Sequence, residues 1–199
     1  MNPREKWDRA SRTYDLFTFG EDLRQGDNKR RLFGKAKGRT IFVAVGTGND
    51  FKFFPPGLDI VGLDVSPGMI RKARARAAQY SGRVELHVAD VQRLEYPDAS
   101  FDTAVTSCTF CSVPDPVRGL RELRRVLKPG GRLLMFEHVR SSIPMMGFMM
   151  DLLTYVTRQF GPDMNRDTEG NVCRAGFELV HVDNVYVDIV KAIEAVKAD

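Results

Sequence analysis

The chain has 199 residues, of which 43% are hydrophobic and 28% charged, proportions that exclude a disordered, collagen-like or coiled-coil protein. This length predicts one domain with a core of its own, and three cysteines are too few for a disulfide framework. The net charge is +4, and residues 1–40 carry the excess, with eleven Lys/Arg against six Asp/Glu. Without an RNA-binding signature, zinc-ligand spacing or signal-peptide pattern, we expect a cytoplasmic protein with no nucleic-acid partner and no metal.

The predicted elements alternate along the chain between helices and short apolar strands. Residues 3–33 are predicted as helices broken near Gly20 and Gly26. Almost wholly apolar runs predict five strands buried on both faces, at residues 40–45, 59–63, 84–88, 101–105 and 132–136. Helices are predicted over residues 66–78 and 117–127, the second closed by Pro129-Gly130-Gly131. Strands alternating with helices predict right-handed βαβ units and an open parallel sheet.

Ligands of such sheets bind outside the carboxyl ends of the strands, where this chain carries glycines and acids. Gly46 and Gly48 follow the first strand and remove side chains where a ligand would approach the backbone. The full G-x-G-x-x-G fingerprint is absent, which disfavours a dinucleotide-dependent oxidoreductase. Asp64 ends the second strand and is placed to accept both hydroxyls of a ribose, although an N-cap role is the alternative.

The third predicted strand is followed by Asp90 and Val91, which suit the amino group and ring face of an adenine. An aspartate that merely forms a turn is the alternative for Asp90. With Asp64 and the glycine loop beside it, the ligand interpretation is favoured.

Five motifs stand in order along the chain: Val45-Gly46-Thr47-Gly48, Gly62-Leu63-Asp64-Val65-Ser66-Pro67-Gly68-Met69, Ala89-Asp90-Val91, Pro97-Asp98-Ala99-Ser100-Phe101-Asp102 and Leu123-Arg124-Arg125-Val126-Leu127-Lys128-Pro129-Gly130-Gly131. Together they resemble the Rossmann-like class I S-adenosylmethionine-dependent methyltransferases, and within them the branch that contains the quinone-biosynthesis methyltransferases. The resemblance implies an α/β fold with a seven-stranded, mostly parallel sheet, helices on both faces and a C-terminal antiparallel hairpin. Residues 177–182 and 185–190 would supply that hairpin.

The same resemblance implies S-adenosyl-L-methionine as cofactor and S-adenosyl-L-homocysteine as product. The residues expected to bind the cofactor are Tyr14, Ala44, Gly46, Thr47, Gly48, Asp64, Val65, Met69, Asp90, Val91 and Ser107. One position departs from the family pattern, because Phe42 stands where an acid usually holds the methionine end of the cofactor. Backbone carbonyls or another residue would then bind that end.

The methyl acceptor is left open by further resemblances. Asn49 to Gly57, Cys111-Ser112-Val113 and Phe136-Glu137-His138-Val139 resemble the membrane-associated thiol methyltransferases of animals, and the glycine loop resembles bacterial phosphatidylethanolamine N-methyltransferases. These families methylate quinols, thiols and lipid amines, so we expect a small apolar, amphipathic or lipid-like acceptor. His138 is the candidate general base, with a structural histidine as the alternative. A non-catalytic S-adenosylmethionine-binding or S-adenosylhomocysteine-binding protein is the alternative function.

We expect residues 1–199 to form a single methyltransferase domain with two coverings over its site. Residues 1–33, with Trp7, Tyr14, Phe17 and Phe19 among basic residues, are expected to form a helical lid. Residues 140–170 are expected to form a helical insertion over the acceptor site. Their methionine-rich part has three interpretations: a packed core helix, a lid over the acceptor, or a helix on a membrane surface. Peripheral membrane contact and the oligomeric state therefore stay open.

Overall fold

A computed structural model describes residues 2–18, 20–160 and 162–198. Its helices are α1 (Pro3–Ala10), α2 (Tyr14–Phe17), α3 (Glu21–Phe33), α4 (Pro67–Ala77), α5 (Pro116–Val126), α6 (Pro144–Phe160) and α7 (Thr168–Arg174), with a 3-10 helix at Asn49–Phe53. Its strands are β1 (Arg39–Val43), β2 (Asp59–Asp64), β3 (Arg83–Val88), β4 (Phe101–Ser107), β5 (Leu127–His138), β6 (Glu178–Tyr186) and β7 (Val190–Val196).

All seven strands form one sheet in the order β3-β2-β1-β4-β5-β7-β6. The first five strands are parallel to their neighbours, whereas β7 runs antiparallel to both β5 and β6. After β3 the chain returns to the middle of the sheet, so the topological switch point lies between β1 and β4. The predicted mostly parallel sheet with a C-terminal hairpin is confirmed.

Helices cover both faces of the sheet, because its central strands are apolar on both sides. One core cluster joins Ile41 and Leu133 to Leu120 of α5 and Val172 of α7. The other cluster joins the opposite faces of the same strands to α3, α4 and the 3-10 helix. This burial on both faces explains why the predicted strands lack an alternating polar pattern.

The helices that follow strands begin where the sequence places side-chain caps. The Ser66 hydroxyl accepts a hydrogen bond from the Met69 N–H at the start of α4, and Pro67 is the first helical residue. Asp115 caps α5 in the same way, ahead of Pro116. These caps fix where each helix leaves the carboxyl edge of the sheet.

Three predicted boundaries differ from the structure. Gly26 lies inside α3 rather than at a break, because a single glycine is tolerated within a helix that packs on the sheet. Helix α5 ends at Val126, and residues 127–131 already belong to β5, with a register shift against β4. The hairpin strands are β6 and β7 rather than residues 177–182 and 185–190, because two register shifts lengthen β6 and the turn falls near Val187.

Candidate active site

The carboxyl ends of β1, β2, β3 and β4 meet at one edge of the sheet, where a cavity opens. Its walls come from these strand ends, from the N-terminal helices and from the segment after β4: Pro3, Trp7, Tyr14, Val43, Ala44, Gly46, Asp64, Val65, Met69, Ala89, Asp90, Val91, Gln92, Ser107, Cys108, Thr109, Ser112, Val113 and Pro114. The cavity thus lies at the switch point, where open α/β sheets bind ligands. Nine of the predicted cofactor-binding residues lie on its walls.

Asp64 is the buried carboxylate of this cavity, with only 6% of its surface exposed. One oxygen accepts a hydrogen bond from the Gly46 N–H at 2.9 Å, and the other accepts from the Ser66 N–H at 2.8 Å. Burial raises the pKa of Asp64 to about 6, and the backbone hydrogen bonds oppose that rise. Since an ionised carboxylate has about four acceptor positions, lone pairs remain for the hydroxyls of a ligand.

The loop after β1 lines the cavity with residues that have small side chains or none. Ala44 and Gly46 both lie in the left-handed region, with φ of +54° and +55°. A Cβ atom at Gly46 would lie 3.7 Å from the Tyr14 ring, which is an ordinary van der Waals contact, so the positive φ is what favours glycine there. Ala44 stands at a position where glycine would be unstrained, which makes it a strained part of the wall.

Thr47 and Gly48 are not among the residues that line the cavity, so their contact with the cofactor stays a prediction. The Thr47 hydroxyl donates to Asp15 at 2.6 Å and thereby faces the N-terminal segment. Gly48 has φ of +82°, and a Cβ there would lie 3.1 Å from the Cα of Ala73 in α4. Both residues contribute to the packing of the loop.

The wall after β3 combines an acid with an apolar surface. Asp90 accepts a hydrogen bond from the Gln92 N–H at 2.9 Å, so it forms the turn considered as the alternative, yet it also lines the cavity. Val91 and Met69 are buried beside it. A flat apolar ring with a polar edge fits between these groups.

Phe42, which occupies the family's acid position, points away from the cavity into the core. Its ring lies 5.2 Å from that of Phe54, 5.8 Å from Phe51 and 6.2 Å from Phe33, between ring centroids. It is 1% exposed. The position therefore offers a ligand no acceptor, and the expectation stands that backbone carbonyls or another residue would bind the amino-acid end.

The N-terminal helices complete the cavity from above. Pro3, Trp7 and Tyr14 line it, and the rings of Trp7 and Tyr14 meet edge to face with centroids 6.4 Å apart. Phe19 lies outside the described residues, and the side chain of Phe17 is not described either. Trp7 and Tyr14 were both named as aromatic residues of the expected lid, and Tyr14 also as a cofactor contact.

Two aspartates fasten this segment to the sheet edge. Asp8 accepts from the Gly68 N–H at 2.7 Å and from the Ser66 hydroxyl at 3.1 Å, which places a carboxylate at the start of α4 and lowers the pKa of Asp8. Asp15 pairs with Arg76 of α4 at 3.2 Å and accepts from Thr47. The bonded residues are about 60 positions apart in sequence for Asp8, so no local pattern could reveal them.

The predicted base, His138, is not among the residues that line the cavity. It ends β5, half-buried, in register with Val190 of β7. Cys108 lies on the cavity wall, whereas Cys111 is buried and its pKa is raised to about 12, chiefly by burial. Within residues 2–18, 20–160 and 162–198, no group of three His, Cys, Asp or Glu side chains could hold a metal ion.

Comparisons with known proteins agree with this geometry. The family model described as "Methyltransferase domain" matches residues 42–135. A ubiquinone/menaquinone biosynthesis C-methyltransferase of Geobacter sulfurreducens is 36% identical over 129 residues, which cover 61% of this chain and 50% of that protein. The human thiol S-methyltransferase is 36% identical over 134 residues, 61% of this chain and 54% of that protein. Residues 42–135 therefore carry the domain of the class I S-adenosylmethionine-dependent methyltransferases.

A solved structure shows the same fold over 98% of this chain. It is a Thermotoga maritima S-adenosylmethionine-dependent methyltransferase, possibly a histamine N-methyltransferase by its description, with TM-score 0.75 and 20% identity. The match covers 98% of this chain and 100% of that one. The chain spans about half the length of the curated relatives that it matches.

The cavity fits S-adenosylmethionine, the cofactor of the matched domain family. Along the sheet edge, Asp90 follows β3, Asp64 ends β2 and Gly46 follows β1, in the order in which these strands lie. That sequence of groups matches adenine, ribose and amino-acid end of one extended ligand. The buried Asp64 carboxylate lies on the wall at the middle of this series.

Proposed function

We propose that this chain transfers a methyl group from S-adenosylmethionine to a small apolar or amphipathic acceptor, of the thiol, quinol or lipid-amine class. The contrast between two parts of the cavity carries the proposal. The cofactor half consists of Ala44, Gly46, Asp64, Met69, Asp90 and Val91. The acceptor half consists of Pro3, Trp7, Cys108, Thr109, Val113 and Pro114 and is mainly apolar.

In the cofactor half, Asp64 accepts hydrogen bonds from the ribose hydroxyls, and Asp90 with Val91 and Met69 holds the adenine. Val65 and Tyr14 close this half, while Ala44, Gly46 and Ser107 bind through their backbones. The bound cofactor supplies an electrophilic methyl group. Holding donor and acceptor in line can lower such a barrier by about 7–11 kcal/mol, so positioning is the main work of these residues.

The described residues that line the cavity include no histidine that could remove a proton from the acceptor. His138 stays the predicted base, although it lies off the cavity wall. An acceptor that ionises near neutral pH needs no protein base, and a thiol with a pKa of about 8.5 is one such acceptor. Of the three acceptor classes, a thiol therefore depends least on a general base supplied by the protein.

The N-terminal helical segment, residues 1–33, acts in this proposal as a lid over both halves. Trp7 and Tyr14 supply its inner surface, and Asp8 and Asp15 fasten it. Burial lowers the pKa of Lys6, while the nearby Asp163 carboxylate opposes that change. The nearness of Lys6 and Asp163 supports a lid that lies beside the insertion, residues 140–170.

Deletion of residues 1–12 tests the lid. We expect weaker binding of S-adenosylhomocysteine or of the acceptor, with the sheet still folded by far-UV circular dichroism, because the deletion removes Trp7 and the Asp8 contacts. A truncated protein with the activity of the full chain on every substrate would contradict the lid.

The insertion supports a peripheral contact with a membrane surface. Among the described side chains of α6, Met150 and Thr154 are buried, whereas Met145, Phe148 and Tyr155 are 79%, 66% and 77% exposed. Asp151 of this helix forms a two-bond ion pair with Arg140, at 3.0 and 2.9 Å. Within the described part of the chain no helix is long and apolar enough to span a bilayer, so a surface contact is the form that α6 can take.

Vesicle flotation tests this contact. We expect the chain to float with anionic vesicles and less with zwitterionic ones, because the N-terminal segment is basic. The double variant Phe148→Ser/Leu152→Ser should lose flotation, while Val180→Ser, also at an exposed residue but on β6, should not. Absence of flotation together with a concentration-dependent dimer would show that a second copy covers α6 instead.

A turnover assay tests the function itself. Labelled S-adenosylmethionine, at a concentration below saturation, is incubated with an alkyl thiol, a benzoquinol and phosphatidylethanolamine, with Asp64→Ala as the comparison of weakened cofactor binding. Methyl transfer to at least one of them is expected. Tight binding of S-adenosylhomocysteine without turnover of any acceptor would favour the non-catalytic alternative, and preferential binding of NAD would favour an oxidoreductase.

A further inference from the structure

A buried carboxylate holds the turn that follows β4. Glu137 of β5 has no exposed surface. One of its oxygens accepts from the Thr106 hydroxyl at 2.8 Å and from the Thr109 N–H at 3.0 Å, and the other accepts from the Phe110 N–H at 3.1 Å. A single side chain thus binds two successive amides of the turn and the strand that leads into it.

This turn is strained. Cys108 has φ of +49°, a left-handed conformation that residues other than glycine seldom adopt. Its N–H donates to the Phe136 carbonyl at 2.7 Å. Such a conformation persists only where its surroundings determine it, and here they are the Phe136 carbonyl before it and the Glu137 bonds after it.

The turn is also a wall of the acceptor half. Ser107, Cys108 and Thr109 line the cavity in succession. Beyond them, the Cys111 carbonyl accepts from the Asp163 N–H at 2.8 Å, which connects the turn to the segment after α6. A change in the turn would therefore alter the surface that an acceptor meets.

The charged groups around Glu137 come from three elements. Lys29 of α3 lowers the pKa of Glu137, but burial has the larger effect and raises it to about 7. Lys29 also pairs with Asp50 of the 3-10 helix at 3.1 Å. From the turn, the Cys111 thiol has a pKa raised by burial and by the charge of Glu137, and Arg166 opposes that rise.

We propose that Glu137 is a positioning residue: its carboxylate fixes the strained turn after β4, and its protonation loosens the acceptor half of the cavity. Ionised acceptors form hydrogen bonds roughly twice as strong as neutral ones, so loss of the charge weakens all three bonds together. The catalytic consequence rests on the proposed methyl transfer, whereas the structural consequence does not. Acceptor binding would then depend on pH near neutrality, even for an acceptor that does not itself ionise.

Nuclear magnetic resonance of the full chain tests the structural part. The amide proton shifts of Thr109 and Phe110 are followed between pH 5.5 and 8.5 in the wild type, in Glu137→Gln and in Glu194→Gln. Glu194 is the matched control, because it is a carboxylate of the neighbouring β7 that pairs with Lys35. We expect both amides to titrate with one midpoint in the wild type and in the control, and not in Glu137→Gln. Amides that do not titrate in the wild type, or that titrate in Glu137→Gln, would overturn the proposal.

Kinetics test the catalytic part with whichever acceptor is turned over. At pH 8, Glu137→Gln should lower kcat/KM for the acceptor at least tenfold and change the Kd of S-adenosylhomocysteine less than threefold. Its kcat/KM should lose the acidic limb of the wild-type pH profile. A Gln variant with wild-type kcat/KM and profile would contradict the proposal.

A second variant covers the case in which Glu137→Gln fails to fold. Thr106→Val keeps the carboxylate but removes one hydrogen bond that favours its charged form. The midpoint of the Thr109 and Phe110 titration should then move to higher pH. An unchanged midpoint would show that the carboxylate does not control these amides.

Discussion

The cofactor half and the acceptor half of the cavity are built in different ways. In the cofactor half, polar groups such as Asp64 and Asp90 come from the ends of strands and line the cavity directly. In the acceptor half, the groups on the cavity wall are largely apolar. The hydrogen bonds that hold this wall are accepted by Glu137, which is buried behind it. In this account the cofactor is bound by hydrogen-bonding groups on the cavity wall, whereas the acceptor meets an apolar wall whose shape is fixed by hydrogen bonds on its far side.

The largest expected effect concerns Phe42, where the cofactor half lacks the acid of its family. Phe42→Glu should lower the free energy of unfolding by about 3–5 kcal/mol, because it removes a ring from a cluster of four and buries a carboxylate there. Urea unfolding measures the loss, and Phe42→Leu separates ring loss from charge. An unchanged midpoint with tighter S-adenosylhomocysteine binding would show that the acid position still serves the cofactor.

Asp64→Ala should have the next largest effect, confined to the cofactor half. The variant removes the acceptor for the ribose hydroxyls and leaves the Gly46 and Ser66 amides unpaired, at a cost of at least about 1.5–3 kcal/mol in binding. Calorimetry with S-adenosylhomocysteine measures it. Asp27→Ala, at an exposed aspartate paired with Arg30, is the control and should bind like the wild type.

The cofactor half should also respond to pH. The pKa of Asp64 is raised to about 6, so the carboxylate loses its charge as pH falls through that value. If only the ionised form binds the ribose, affinity for S-adenosylhomocysteine at pH 5 should be about tenfold below that at pH 7. Asp64→Asn should bind weakly and without this dependence. A flat wild-type profile would mean that the carboxylate is ionised throughout the range or does not contact the ribose.

The smallest effect is expected at Ala44, the strained residue of the loop. Ala44→Gly should raise the free energy of unfolding by about 0.5–1 kcal/mol, because glycine adopts φ of +54° without a steric cost. Ala77→Gly, in the last turn of α4, should do the opposite by a similar amount. Thermal unfolding of both variants decides whether the loop strain is real.

More of the cofactor half than of the acceptor half could be predicted from the sequence, for a physical reason. Asp64, Asp90 and Gly46 follow apolar strands directly, so their place at the sheet edge follows from the strand pattern alone. Thr47 also follows an apolar strand, but its hydroxyl donates a hydrogen bond to Asp15 of the N-terminal segment.

The groups that shape the acceptor half depend on contacts between distant segments. Trp7 reaches the cavity because Asp8 binds the start of α4, and Glu137 matters because the turn after β4 lies above it. Neither relation has a local pattern. The hairpin was misplaced for a related reason, since the register shifts of β6 follow from pairing with β7 and not from its own residues.

The most direct test of the division between the halves is a crystal structure with S-adenosylhomocysteine. The account predicts the ribose hydroxyls within hydrogen-bond distance of Asp64, the adenine between Asp90 and Met69, and the sulfur directed toward Cys108 and Val113. A ligand with its sulfur facing away from the acceptor half, or with its ribose bound by residues other than Asp64, would contradict it.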